Sequence, residues 1–182
     1  MNKRKKSLSV RRGAKPAAKV SSLDSVDIGI KSILVPTDFS QESFQALDYA
    51  LVLAQVFSAK ITLAHVIVPI TTVDSAYGIV GWNDSDAEEN AKLALDKIRR
   101  ERSSSTQVDM VVKTGHPYRD LDRIAKEVAS DLIVIATHGR TGFKHMILGS
   151  VAEHVVRYAP CPVLVIRDKE RDFISAPKAR GK

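Results

Sequence analysis

A short run late in the chain has the residue types and spacing to hold an anion. Thr137, His138, Gly139, Arg140, Thr141 and Gly142 are polar, small or glycine, and two glycines three apart let a backbone turn and approach a ligand with no Cβ in the way. Further on, Ser150 follows Gly149 and precedes Glu153 by three residues, the capping-box spacing that starts a helix. The first amides of a helix have no intrahelical partner and its dipole is positive there, so strand, glycine loop and helix start together form an anion cradle. The same residues also make a plain turn and a helix cap that need no ligand. On these residues alone both readings stand. Neither G-x-G-x-x-G nor G-x-x-x-x-G-K-[ST] occurs, so neither a dinucleotide fingerprint nor a Walker-type loop is supported.

The elements that must position this run can be read from apolar periodicity. Leu132 to Ala136 is a short, β-branched apolar run, which predicts a strand buried on both faces. Ile33-Leu34-Val35 is another, ended by Pro36-Thr37-Asp38, after which Ser40 is an N-cap for a helix to about Phe57. Lys60 to Val68, Val108 to Lys113 and Val163 to Arg167 complete five predicted strands, and helices are predicted from Asp84 or Ser85, after Pro117, and over Ser150 to Tyr158. His65 lies within the second strand and reads as a satisfied core or strand-end histidine rather than a ligand. Residues 69–83 form a connection longer than usual.

Five strands alternating with four helices predict a single open, doubly wound, Rossmann-like α/β fold: a five-stranded parallel sheet with helices on both faces. The expected strand order is 3-2-1-4-5, because crossovers are right-handed and helices reach both faces only if the order reverses. That order sets the carboxyl ends of strands one and four side by side at the switch point, where such sheets bind ligands. Those ends carry Pro36-Thr37-Asp38 and Ala136-Thr137-His138-Gly139.

Composition narrows the function classes. The formal charge of +7 comes from the start of the chain: eight of the 28 Lys/Arg fall in residues 1–19, where there is no acid. The remaining 20 face 21 acidic residues, so the body is near neutral and has no broad nucleic-acid footprint. Residues 1–27 read as a disordered basic tail, 28–168 as one α/β domain, and 169–182 as a flexible C-terminal tail. Weak, salt-dependent attraction to nucleic acid or to an anionic membrane is the use expected of the basic tail. Cys161 is the single cysteine, which rules out an intrachain disulfide, and between two prolines it reads as a small apolar residue. No run of about 18 apolar residues exists to span a membrane, and the N-terminus lacks the apolar core of a secretory signal. A cytoplasmic chain is expected.

ILVPTDFS, KTGHPYRD and ATHGRTGFKHMILGSVAEHVVRYAPCPVLVIR, in that order, resemble the universal stress protein family over roughly Lys31 to Asp168. The ATP-binding branch of that family carries G-x-x-G, nine residues, then G-[ST]. Gly139, nine residues from Arg140 to Leu148, and Gly149-Ser150 fit it; Ala136 stands in the place of the first glycine and adds a methyl group where backbone meets nucleotide.

The resemblance implies ATP, with Mg²⁺ carried on its phosphates. It implies that Gly139, Arg140, Thr141 and Gly142, with Gly149, Ser150 and Val151, hold the triphosphate and ribose, flanked by Ala136, Thr137 and His138. It implies that Pro36, Thr37 and Asp38 border the adenosine and that Val66 lines the adenine pocket. It also implies a homodimer through the edge strand 162–167 and a downstream protein partner that the residues do not name. His138 is assigned no catalytic role, since no serine or carboxylate partner is identifiable beside it. Two other classes stay in view: a slow ATP-hydrolysing enzyme, and a nucleotide-free structural dimer.

Overall fold

The structure is a computed structural model, and it describes residues 29–69, 73–74, 78–79, 84–103, 105–139 and 148–167. Its elements are β1 (Ser32–Pro36), α1 (Gln41–Phe57), β2 (Lys60–Ile67), β3 (Val73–Asp74), β4 (Gly78–Ile79), α2 (Asp84–Arg102), β5 (Val108–Thr114), α3 (Pro117–Glu127), β6 (Leu132–Ala136), α4 (Ser150–Tyr158) and β7 (Val163–Ile166). The main sheet runs β5-β2-β1-β6-β7 and every pairing in it is parallel. This is the expected 3-2-1-4-5 order, with the reversal between β1 and β6. The long connection also contains a short antiparallel pair, β3 with β4, where the sequence predicts only a connection.

The pleat sorts the apolar runs onto two faces, because successive side chains of a strand point to opposite sides. Ile33, Val35, Ile61, Leu63, Val134 and Ala136 meet Ala46, Leu47, Ala50 and Ala54 of α1 and Leu95 and Ile98 of α2. Leu34, Ala64, Val66, Ile133 and Ile135 meet Leu121, Ile124 and Ala125 of α3 and Ala152 and Val155 of α4. All five residues of β1 are buried, as a central strand covered on both faces requires. Each fully buried Leu, Ile or Val contributes about 1.5–3 kcal/mol relative to exposure.

Local chemistry sets the ends. Ser40 caps α1 as expected, its Oγ accepting from the Ser43 N–H at 3.2 Å, and α1 stops where Ser58 turns left-handed at φ 55°. Pro36 is the last residue of β1 rather than its terminator, and it sits opposite Ala64 in the ladder. Asp131 pins the entry of β6 to the entry of β1: its Oδ2 accepts from the N–H groups of Lys31 at 2.8 Å and Ser32 at 2.9 Å, and its own N–H donates to Ser32 O. The exits of the two strands are held in step as a result. Burial and the charge of Asp131 push the Cys161 thiol up, which disfavours the reactive thiolate and fits a packing role. The expectations for residues 1–27 and 169–182 lie outside the described residues.

Candidate functional site

A cavity of about 610 Å³ opens where β1 and β6 end, a size suited to a small-molecule ligand. Pro36, Thr37, Asp38, Val66, Ala136, Thr137, His138, Gly139, Gly149, Ser150 and Val151 all line it. Every expected site residue within the described part of the chain is therefore gathered at one crevice. Arg140, Thr141 and Gly142 lie outside the described residues. Val68, Pro117, Leu121, Ile135 and Ala152 add to the apolar wall, and none of them is among the site residues expected from the sequence. Pro117 follows directly on the Gly115-His116 pair at the exit of β5, the one local signal that could have found it.

The β1 side of the crevice is a tight hydrogen-bonded turn. Thr37 donates its N–H to Ala64 O at 2.8 Å, and its hydroxyl is paired with Ser43 Oγ at 2.9 Å in a buried contact. Asp38 Oδ1 accepts from both the N–H and the hydroxyl of Ser40, at 3.1 and 2.5 Å, so its carboxylate is held at the crevice mouth. Phe39 takes φ 66°, a left-handed conformation costly for an aromatic residue, and its N–H bonds Thr37 Oγ1 at 3.1 Å. Its ring centroid lies 4.4 Å from that of His65, whose Nδ1 stands 2.7 Å from Thr37 O. His65 is thus the satisfied strand-end histidine the sequence suggested.

The β6 side is set by backbone contacts. Thr137 N–H donates to Ile166 O at 2.9 Å, and Gly149 N–H donates to Thr137 O at 2.7 Å, which draws the start of α4 onto the end of β6. A Cβ on Gly149 would stand 2.9 Å from that same carbonyl oxygen, so glycine is needed for the approach. The helix start differs from expectation. Gly149, not Ser150, is the N-cap; Glu153 N–H bonds Gly149 O at 2.8 Å and no side chain caps the helix. No capping box forms, because Ser150 is already the first helical residue and its hydroxyl meets Tyr118 Oη at 3.2 Å instead.

Gly139 is needed as glycine because of Asp38: its backbone is not left-handed, and a Cβ there would overlap Asp38 Oδ2 and stand 3.1 Å from Cγ. Ala136 packs with Val134 in the core under α1, so its methyl group belongs to that layer of the protein while its residue borders the crevice. His138 Nδ1 is 2.9 Å from Thr137 Oγ1. Among the described residues, no group of three His, Cys, Asp or Glu could hold a metal ion. The crevice combines an apolar wall with a polar end built from glycines, hydroxyls, one carboxylate and the positive end of α4, the layout for an apolar ring joined to an anion.

Known proteins share this plan. A model of the universal stress protein family matches residues 29–167. Universal stress protein MJ0531 of Methanocaldococcus jannaschii is 31% identical over 145 residues, covering 78% of this chain and 85% of its own. The structure of universal stress protein UspA from Lactobacillus plantarum superposes with a TM-score of 0.65 at 29% identity, over 78% of this chain and all of that one. A universal stress protein solved in complex with cAMP matches with a TM-score of 0.56 at 25% identity, over 76% of this chain and 98% of its own. With a family model that spans the whole five-stranded sheet and a relative 31% identical over most of its own length, this chain belongs to the universal stress protein family.

Proposed function

We propose that this chain is an ATP-binding module that acts in stress response or signalling through a nucleotide-dependent homodimer, working in the cytoplasm. The observation that carries the reading is the cavity of about 610 Å³ at the exits of β1 and β6, where Asp38 and Gly139 face the start of α4. Adenine would lie on the apolar wall of Val66, Leu121 and Ile135, and Asp38 would accept from the ribose. The phosphates would face Gly139 and the amides of Ser150 and Val151, which as first-turn amides of α4 need an outside acceptor. The amide of Gly149 has no such part, being engaged by Thr137 O. Mg²⁺ would arrive on the phosphates. That a relative of this family was solved with a bound cyclic nucleotide adds weight to the ligand class.

Such a module would signal by occupancy rather than turnover. Asp38 is engaged by Ser40 and His138 Nδ1 by Thr137, so neither stands out as a base for an attacking water. No described helix is long and apolar enough to cross a membrane, in keeping with the proposed compartment. Calorimetry with Mg·ATP, together with mass analysis of small molecules released on denaturation, tests the reading. Saturable binding below millimolar concentration is expected. No heat of binding up to millimolar ATP would overturn it.

A further inference from the structure

The hydroxyl of Ser150 is reached from across the crevice mouth by one side chain of α3. Tyr118, in the first turn of that helix, donates its Oη hydrogen bond to Ser150 Oγ at 3.2 Å. The tyrosine is itself fixed from behind. Its ring centroid lies 5.5 Å from that of His154, tilted by 58°, and His154 is backed by Tyr158 at 4.6 Å. Asp122 Oδ2 stands 3.1 Å from His154 Nε2, and the two side chains are only 18% and 28% exposed. Tyr118, 40% exposed, thus carries a hydroxyl whose direction is set by a half-buried cluster clamping α3 to α4.

A serine hydroxyl has one proton to give and two lone pairs to receive. Ser150 is the first residue of α4 and does not cap it, and among the described residues the hydrogen-bond partner of its hydroxyl is Tyr118. A donor arriving from Tyr118 occupies a lone pair, and an exposed rotor that water would otherwise turn freely is left with its proton directed elsewhere. We infer that Tyr118 is a positioning residue for nucleotide recognition: its hydroxyl orients Ser150 so that the serine donates to a phosphate oxygen in the crevice, and the Asp122–His154 pair holds Tyr118 in place for that task. The inference rests on the nucleotide reading above and adds a residue to it.

The test compares the parent chain, Tyr118→Phe, Ser150→Ala and the double variant, each titrated with Mg·ATP and with adenosine, and each melted. Phenylalanine keeps the ring against His154 and removes only the hydroxyl, so the melting temperature should stay with the parent's. Tyr118→Phe should weaken ATP roughly three- to tenfold, the range of one neutral hydrogen bond, and leave adenosine unchanged. The double variant should bind ATP like Ser150→Ala alone, since the tyrosine acts only through the serine. ATP affinity equal to the parent's in Tyr118→Phe, independent losses that multiply in the double variant, or an equal loss for adenosine would each overturn the inference while leaving the nucleotide reading intact. A parent chain that binds no ATP would bring down the nucleotide reading, and this inference with it.

Discussion

The Cα of Gly139 lies so close to the carboxylate of Asp38 that a Cβ at position 139 would overlap Oδ2. The two residues end neighbouring strands, β6 and β1, and each shapes what the other can be. Gly139→Ala should push the Asp38 carboxylate off its two bonds from Ser40, at a stability cost of about 1 kcal/mol, because the obstructing group is the movable end of a side chain. ATP affinity should fall by roughly tenfold or more, as the carboxylate swings into the ligand's space. Gly149→Ala meets an immovable backbone carbonyl of Thr137 instead, and should cost about 1–3 kcal/mol of stability. Melting and titration of both variants separate the cases, and parent-like ATP binding by Gly139→Ala would remove the role given to this contact.

A second prediction concerns the departure from the family's glycine pattern. Since Ala136 packs with Val134 under α1, Ala136→Gly should leave ATP affinity within about twofold of the parent while lowering stability by about 1 kcal/mol through lost packing and added chain freedom. Calorimetry and denaturant unfolding read the two effects separately. A tenfold gain in affinity would mean that the methyl group does impede the ligand.

Strand order and the two strand exits were legible because both depend on patterns written locally: β-branched apolar runs, helical repeats, and polar residues at the ends of β1 and β6. What each glycine does was not legible. The constraint on Gly139 comes from Asp38, remote in sequence, and a tertiary contact of this kind leaves no mark in the local pattern. The cap of α4 lies one residue before the position the capping-box spacing of Ser150 and Glu153 predicts, because the bond from Gly149 to Thr137 draws the chain into the helix earlier than that spacing assumes. Leu121 and Ile135 both pack in the core and line the cavity, and a residue that packs on one side and borders a ligand on the other has the same apolar signature as one that only packs. The β3–β4 pair is too short to leave an alternation.

Stability can be raised away from the site. Ala129 follows α3 at φ 48°, where its N–H bonds Lys126 O and the next N–H, that of Ser130, bonds Ala125 O, a closing turn that suits glycine. A left-handed alanine costs roughly 1–2 kcal/mol, and glycine gives back about 0.5–1 kcal/mol in added unfolded-state freedom. Ala129→Gly should therefore stabilise the fold by roughly 0.5–1 kcal/mol, read as a higher urea midpoint at unchanged m-value. A lower midpoint would show that the turn is not strained.

The proposed dimer makes the last prediction. β7 closes one edge of the sheet, and its Pro162 and Ile166 carbonyls accept from Ile133 N–H and Thr137 N–H of β6. Strand alternation then turns the N–H and C=O groups of Val163 and Val165 outward, along an apolar edge with no lysine to blunt it, which is a template for pairing with a second copy. A two-fold axis would let the two β7 edges meet through the same residues. Val165→Lys is a poor probe of this, because the Val165 side chain packs on the core between β7 and α4, so a charge there would unfold the protomer as readily as separate it. Val165→Pro is cleaner: it keeps an apolar side chain and deletes one outward donor, a change tolerated on edge strands, at about 1 kcal/mol or less to the protomer. Sedimentation at micromolar concentration should show a dimer for the parent and a monomer with native circular dichroism for Val165→Pro. A parent that sediments as a monomer, or a Val165→Pro variant that stays dimeric, would move the assembly away from this edge.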